Sequence, residues 1–113
     1  MIANAIKQTE SRGEILCGRG ESGEYGCFQF LPGTWELFSK EILGYLAPLT
    51  PINEEYVALT KIEEWLRDGH STIQIALLWN QGNLSKCKSG INSFGVNYNS
   101  CEYVNEVLRN LNQ

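Results

Sequence analysis

Four cysteines constrain the fold of this chain most: Cys17, Cys27, Cys87 and Cys101. They contain no C-x-x-C pair, and the chain has a single histidine, His70, so the spacing argues against a zinc site. Two local disulfides, Cys17–Cys27 and Cys87–Cys101, are favoured among the three connectivities that four cysteines allow. Each would close a loop rich in Gly, Asn and Ser, and both would require an oxidising compartment. Four reduced, buried thiols remain the alternative.

Length, composition and net charge limit the classes of protein to which this chain can belong. The chain has 113 residues, of which 42% are apolar and 19% charged, so it predicts one ordered domain, 1–113. The net charge is −4 and no Lys/Arg run occurs, which argues against a nucleic-acid partner. No apolar run has the length of a membrane span, and the N-terminus lacks the features of a signal peptide. The chain is therefore expected to be either cytosolic or the mature or excised part of a larger protein.

Apolar periodicity predicts a mainly α fold, with five helices around a central buried one. The helices are expected over residues 1–12, from Thr34 as N-cap to Gly44, from about 53 to 69, from a Ser71/Gln74 capping box to 81, and from about 100 onward. The stretch 73–80 is apolar nearly all round, which is typical of a helix at the centre of a domain.

The charged residues of the third helix and the connecting segments are expected to be solvated. Along that helix the apolar stripe consists of Ala58, Leu59, Ile62, Trp65 and Leu66, and the charges opposite it are Glu54, Glu55, Glu63, Glu64 and Arg67. The glycine-rich residues 13–27 predict an irregular loop or a small hairpin after the first helix. Residues 26–31 are apolar except for Gln29, which must find hydrogen-bond partners or face a wet cleft. A surface Gln on a short strand-like segment is the alternative. Residues 83–100 are expected to form a loop anchored by Phe94 and Tyr98.

Glu10 stands out as a candidate acid. It continues the apolar stripe of Ile2 and Ile6 at the end of the first helix, where Ser11 and Gly13 favour termination. Burial against that stripe and the negative end of the helix dipole would both raise the pKa of Glu10, so that it could donate a proton near neutral pH. A solvated Glu at a helix end is the alternative interpretation.

Four motifs then occur in a recognisable order. They are Glu10-Ser11, Gly26-x-Phe28-Gln29-Phe30-Leu31-Pro32-x-Thr34-Trp35, Ala76-Leu77-Leu78-Trp79-Asn80-x-Gly82 and Tyr103-Val104-x-x-Val107-Leu108. Over essentially its whole length the chain resembles the catalytic domain of the soluble lytic transglycosylase and goose-type lysozyme family. That resemblance implies a lysozyme-like fold, which is α+β and mostly helical, and cleavage of the glycan of peptidoglycan.

The resemblance also implies roles for single residues. Glu10 would be the catalytic acid and then the base, and Tyr103 would hold it through its hydroxyl. The residues expected to contact the substrate are Ser11, Phe28, Gln29, Trp79, Asn80 and Tyr103. The chain departs from the family pattern in having Cys27-Phe28 before Gln29, where Leu-Met is usual, and Trp79 before Asn80, where Tyr is usual.

Two mechanistic branches are open. In the lytic branch, which a single clear carboxylate favours, the ionised acid takes a proton from the sugar's own 6-hydroxyl and an anhydro sugar forms. In the hydrolytic branch a second carboxylate, Glu21 or Glu24, would position water. No metal or other cofactor is expected, and the expected form is a monomer acting on peptidoglycan strands outside the cytoplasm. A glycan-binding or assembly module without catalysis and a cytosolic interaction domain are the alternatives from other classes.

Overall fold

The computed structural model describes residues 2–11, 17–18 and 23–112. In this part of the chain there are five α-helices and one two-stranded antiparallel sheet, so the predicted mainly helical, α+β class is confirmed. The elements in chain order are α1 (Ile2–Ser11), α2 (Pro32–Leu43), α3 (Pro51–Arg67), α4 (Thr72–Gln81), β1 (Ser89–Ile91), β2 (Asn97–Asn99) and α5 (Ser100–Leu111).

The hydrophobic core lies where α1, α3, α4 and α5 meet. Each of these helices contributes a fully buried aliphatic side chain: Ile6, Val57, Ile75 and Val107. Helix α1 packs mainly on α5, and α5 also packs on α4, so that the first and last helices are neighbours in space. This arrangement brings the end of α1 next to the start of α5.

Helix α4 is less buried than its apolar sequence predicts. Only Ile75 and Ala76 are fully buried, and Ile73 is 49% exposed. The reason is that α4 packs on α3 and α5 with one side only. Its other side, including Leu78 and Trp79, lines an open cleft.

Prolines, not hydroxyl caps, set the start of α2. Thr34 was expected to cap this helix, but the helix begins at Pro32 after Leu31, with no side-chain cap. Proline is favoured at the first helical position because its fixed φ suits the helix and its missing N–H leaves no unpaired donor there. The same preference starts α3 at Pro51, two residues before the predicted Asn53, and Thr50 accepts a hydrogen bond from the Asn53 amide.

The other predicted helix ends agree with the structure. Ser71 and Gln74 form the expected capping box at the start of α4. Gly44 and Gly82 end α2 and α4 in the left-handed conformation, with φ of 86° and 78°, which glycine adopts without steric cost.

The small hairpin lies elsewhere than predicted. Residues 12–16 and 19–22 are outside the described part of the chain, and the described remainder of the 13–27 segment contributes only an isolated bridge between Tyr25 and Phe30. The strands β1 and β2 instead lie in the segment 83–100, which was expected to be a loop. Strands of three residues are too short to show an alternating pattern in the sequence.

Both disulfides have the predicted connectivity, Cys17–Cys27 and Cys87–Cys101. The second closes the base of the hairpin, where the buried Ser100 hydroxyl accepts from the amide of Lys88 and donates to its carbonyl. No helix in the described residues is both long and apolar enough to cross a bilayer.

Peptide mapping without reduction should recover the two pairs Cys17–Cys27 and Cys87–Cys101, and the unfolded protein should contain no titratable thiol. Each bridge constrains the unfolded chain, so reducing one should lower the free energy of unfolding by ~3 kcal/mol, which chemical denaturation can measure. A cross-link from Cys17 to Cys87 or Cys101, or four reactive thiols, would contradict this fold.

Candidate active site

An open cleft runs between α1, the segment 24–31, α4, the hairpin and α5. Five of the seven residues predicted to act on a glycan line it: Glu10, Gln29, Trp79, Asn80 and Tyr103. The cleft therefore gathers residues from four separate parts of the sequence, which span positions 10 to 103.

Glu10 lies in the last turn of α1, one helical turn after the fully buried Ile6. This spacing places its side chain on the edge of the core-facing side, and it is partly buried there. The helix is fixed in register against α5, because Asn110 donates a hydrogen bond of 2.9 Å to the Thr9 hydroxyl. The sequence-based placement of Glu10 on the buried face is confirmed.

The hydroxyl of Tyr103 donates a hydrogen bond of 2.8 Å to the Glu10 carboxylate. Tyr103 is in the first turn of α5, so the packing of α5 on α1 brings together two residues that are 93 positions apart. The contact that was predicted from the Glu-Ser and Tyr-Val motifs is present. It limits the orientations of the carboxylate without closing it off from the cleft, which both residues line.

Burial raises the pKa of Glu10 from 4.5 to about 8. Desolvation is the largest cause, the hydrogen bond from Tyr103 opposes it, and the negative charge of Glu24 raises the pKa further. The pKa of Tyr103 is raised well above 10, first by burial and then by the charge and hydrogen bonding of Glu10. At neutral pH the pair thus consists of a protonated carboxylic acid and a neutral phenol.

Glu24 lines the same cleft as Glu10, so a second carboxylate is available at this site. Glu21, the other candidate for that role, is outside the described residues. Among the residues that the structure describes, no three His, Cys, Asp or Glu side chains are grouped so that they could hold a metal ion.

Gln29 is presented to the cleft by a tight turn, not by a strand. Tyr25 and Phe30 exchange two backbone hydrogen bonds across the turn, and Gln29 has a φ of 52°. A non-glycine residue in this left-handed region is uncommon and persists only when its surroundings fix it. The side-chain amide of Gln29 helps to fix this conformation, because it donates hydrogen bonds of 2.8 and 2.7 Å to the carbonyls of Gly18 and Gly26.

Trp79 and Asn80 stand at the C-terminal end of α4 beside this turn. The ring of Trp79 packs edge-on against Phe28, Phe30 and Trp65, with centroids 5.3–6.1 Å apart, and its indole N–H donates to the Phe28 carbonyl at 3.4 Å. Trp79 is thereby fixed in the cleft wall with part of its ring accessible. Asn80 is exposed in the cleft.

Two residues that were predicted to contact substrate do not line the cleft. Phe28 is only 2% exposed and belongs to the core, so the prediction for its side chain is wrong. Ser11 is also buried, and its hydroxyl donates to the carbonyl of Lys7 at 2.7 Å. Each of the two residues is next to a residue that lines the cleft. The apolar ring of Phe28 packs in the core, and the Ser11 hydroxyl is bonded to its own helix, so neither side chain faces the cleft.

The hairpin forms a wall of the cleft that was not predicted from the sequence. Its loop is shaped by Asn92, whose side-chain oxygen accepts from the amides of Phe94 and Val96. Phe94 lies at the tip and is 63% exposed, and Tyr98 and Asn97 also face the cleft. An exposed aromatic ring among amide side chains is a surface on which a sugar can stack and form hydrogen bonds.

The burial of Glu54 was also not predicted, because Glu54 was assigned to the solvated face of α3. Glu54 is 2% exposed and its carboxylate accepts hydrogen bonds from the amides of Cys27 and Phe28. The signal was present in the sequence, because Glu54 is four residues before Ala58 and eight before Ile62, on the buried stripe itself.

The pKa of Glu10 has a consequence for stability that does not depend on catalysis. Between pH 4.5 and about 8 the folded protein binds more protons than the unfolded chain, so its stability falls as pH rises through this window. Glu10→Gln keeps an acceptor for Tyr103 and removes the titration. At pH 8 the Tm of the variant should be several degrees above that of the parent, since 1 kcal/mol of stability corresponds to about 4 °C in a domain near 100 residues. At pH 4.5 the two Tm values should differ little.

Scanning calorimetry of parent and variant from pH 4 to 9 measures this difference. Glu63→Gln, on an exposed position of α3, is the matched control. A Glu10→Gln variant whose Tm difference from the parent does not change with pH would show that Glu10 is ionised normally.

Comparison with known proteins identifies no family for this chain. No protein-family model, no curated protein and no solved structure matches it. The residues and the geometry of the cleft are therefore the grounds on which its function is inferred.

Proposed function

We propose that the chain cleaves the β-1,4 bond between N-acetylmuramic acid and N-acetylglucosamine in peptidoglycan, as a lytic transglycosylase with Glu10 as acid and base. The observation that carries the proposal is the pair Glu10–Tyr103, joined by a 2.8 Å hydrogen bond at the edge of an open cleft. A carboxylic acid that stays protonated at neutral pH is what the first step of glycoside cleavage requires.

In that first step, Glu10 donates its proton to the glycosidic oxygen as the bond from the anomeric carbon to that oxygen breaks. Positive charge develops on the sugar ring, and Glu10 becomes a carboxylate. The Tyr103 hydroxyl donates to this carboxylate and lowers the pKa of Glu10, so it stabilises the ionised form as that form appears. The hydrogen bond thus assists proton transfer away from an acid that burial otherwise keeps neutral.

In the second step, the ionised Glu10 takes the proton of the muramic acid's own 6-hydroxyl as that oxygen bonds to the anomeric carbon. The products are a 1,6-anhydro-muramic acid end and a free 4-hydroxyl on N-acetylglucosamine. The enzyme is returned to its protonated state and no water is consumed. One carboxylic acid is sufficient for both steps.

The walls of the cleft support a glycan as the ligand. Trp79 and Phe94 offer aromatic faces for sugar rings, and Gln29 and Asn80 offer amides for hydroxyl and acetamido groups. The cleft is open at the surface, which suits a polymeric strand better than a small enclosed molecule. A partly buried Glu10 held by Tyr103 favours an active enzyme over a binding module.

Hydrolysis is the second candidate, and Glu24 is the observation that favours it. Its carboxylate lines the cleft and is close enough to raise the pKa of Glu10. In this version Glu24 positions a water molecule that attacks the anomeric carbon, and the product is a reducing muramic acid. The two disulfides are compatible with either reaction taking place outside the cytoplasm, where peptidoglycan is found.

Replacing Glu10 with Gln should reduce cleavage of purified peptidoglycan by ~10²–10⁴-fold, because the amide cannot donate an acidic proton. The fold should be retained, since Gln has the same shape and can still accept from Tyr103. Release of soluble fragments from purified cell walls measures the rate, and Glu55→Gln should cleave as the parent does. A Glu10→Gln variant as active as the parent would eliminate Glu10 as the acid.

Mass spectrometry of the fragments separates the two reactions. Lytic cleavage should give anhydro-muramic ends, which are one water lighter than the reducing ends of a hydrolase. Predominantly reducing ends, lost in Glu24→Gln, would replace the lytic proposal by hydrolysis. Intact glycan with the parent enzyme would refute both.

Tyr103→Phe removes one hydroxyl and keeps nearly all of the buried ring. Stability should fall by about 0.5–1.5 kcal/mol, the net contribution of one hydrogen bond. Activity should fall on the order of tenfold or more, because the acid loses its orientation. The basic limb of the pH–rate profile should move to higher pH, since the hydrogen bond lowers the pKa of Glu10. Unchanged kinetics and an unchanged profile would show that Tyr103 has no part in the reaction.

A further inference from the structure

The buried carboxylate of Glu54 is the best-defined polar group that the proposed reaction does not use. It projects from the first turn of α3 onto the turn formed by residues 26–29. One oxygen accepts from the Cys27 amide at 3.0 Å, and the other accepts from the Phe28 amide at 3.4 Å. Glu54 is 2% exposed, so its hydrogen bonds replace hydration almost completely.

The turn is shaped to receive this carboxylate. Gly26 has a φ of 89°, and a Cβ atom at that position would lie 1.7 Å from a Glu54 oxygen and 3.0 Å from a methyl group of Leu49. Glycine is therefore required twice, once by the backbone conformation and once by the space that Glu54 fills. Such close fitting of a charged side chain against backbone amides indicates a specific role in the turn.

The turn formed by residues 26–29 also supports two residues of the cleft wall. Gln29 adopts its left-handed conformation in this turn and donates to the Gly26 carbonyl. Trp79 donates its indole N–H to the Phe28 carbonyl. Gln29 thus bonds to the peptide unit between Gly26 and Cys27, whose N–H donates to Glu54. Trp79 bonds to the carbonyl of Phe28, the residue whose own N–H donates to Glu54.

The surroundings of Glu54 affect its ionisation in opposite directions. Burial raises the pKa of Glu54, while its hydrogen bonds from Phe28 and Cys27 and the positive charge of Lys7 lower it, and the charge of Glu55 raises it slightly. Lys7 is on α1 and Glu55 is the next residue of α3. Protonation would add an O–H donor to one of the two acceptor oxygens and weaken its hydrogen bond from the amide.

We propose that Glu54 is a positioning residue, whose carboxylate fixes the 26–29 turn and so sets Gln29 and Trp79 at the glycan cleft. The effect on cleavage rests on the proposed function, but the effect on the two side chains does not. The role is positional, since the carboxylate faces backbone amides and Glu54 does not line the cleft.

The test compares Glu54→Gln with Glu63→Gln, an exposed position on the same helix. Gln keeps the size of the side chain but points an NH₂ group at one of the two amides. Proton–nitrogen NMR spectra should show shifted Cys27 and Phe28 amide signals, together with shifted signals of the Trp79 indole N–H and the Gln29 side-chain amide. Glu63→Gln should leave all four signals in place. Unshifted Trp79 and Gln29 signals in a folded Glu54→Gln variant would overturn the proposal.

The parent protein supplies a measurement that needs no variant to fold. On acidification the Cys27 and Phe28 amide protons should titrate together, with one apparent pKa above 4.5, as Glu54 takes up a proton. The indole N–H of Trp79 should move over the same pH range. If the two amides titrate and Trp79 does not respond, the turn is not coupled to the cleft and the proposal fails.

Kinetics on soluble glycan strands complete the test. Glu54→Gln should lower kcat/KM on the order of tenfold or more, because displaced wall residues orient the substrate poorly. In a Gln29→Ala background the same substitution should cost clearly less, which a general loss of stability would not produce. Equal losses in both backgrounds would overturn the positioning role. If the parent cleaves no glycan, the proposed function fails while the NMR results still decide the position of Trp79 and Gln29.

Discussion

The partial burial of one carboxyl group, Glu10, is the constraint on which the rest of the site depends. Helix α1 carries it to the edge of the core, and α5 presents the Tyr103 hydroxyl to it. Neither helix could hold this geometry alone, since the packing of α1 on α5 and the Asn110–Thr9 hydrogen bond fix their register. The proposed chemistry therefore follows from the way the two ends of the sequence meet.

Around this pair, the remaining elements provide a surface for a long ligand. Helix α4 supplies Trp79 near its C-terminal end. The aromatic contacts of the Trp79 ring with Phe30 and Trp65 hold this ring in the cleft wall. The disulfide Cys87–Cys101 closes the hairpin that carries Phe94. The two loop regions of the chain thus contribute part of the cleft wall, and a disulfide restrains each of them.

Features that depend on local periodicity could be predicted from the sequence. The five helices, the capping box at Ser71 and both disulfides follow from spacing and composition. The Glu10–Tyr103 contact was expected only from the resemblance to a known family. Features set by tertiary contacts could not be predicted in this way. The strands at 89–91 and 97–99 are too short to show alternation, and Phe28 turns inward because Trp79 and the core receive it. Glu54 was misjudged because its residue type was given more weight than its position on the buried stripe.

The central claim is that Glu10 is a neutral acid at the pH at which the protein works. Carbon-13 NMR of the side-chain carboxyl groups, with the Glu10 signal assigned by its loss in Glu10→Gln, measures this most directly. We expect an apparent pKa of about 8 for that signal. A Glu10 signal that titrates near 4.5 would mean that the carboxylate is ionised at neutral pH, and the proposed proton donor would be contradicted.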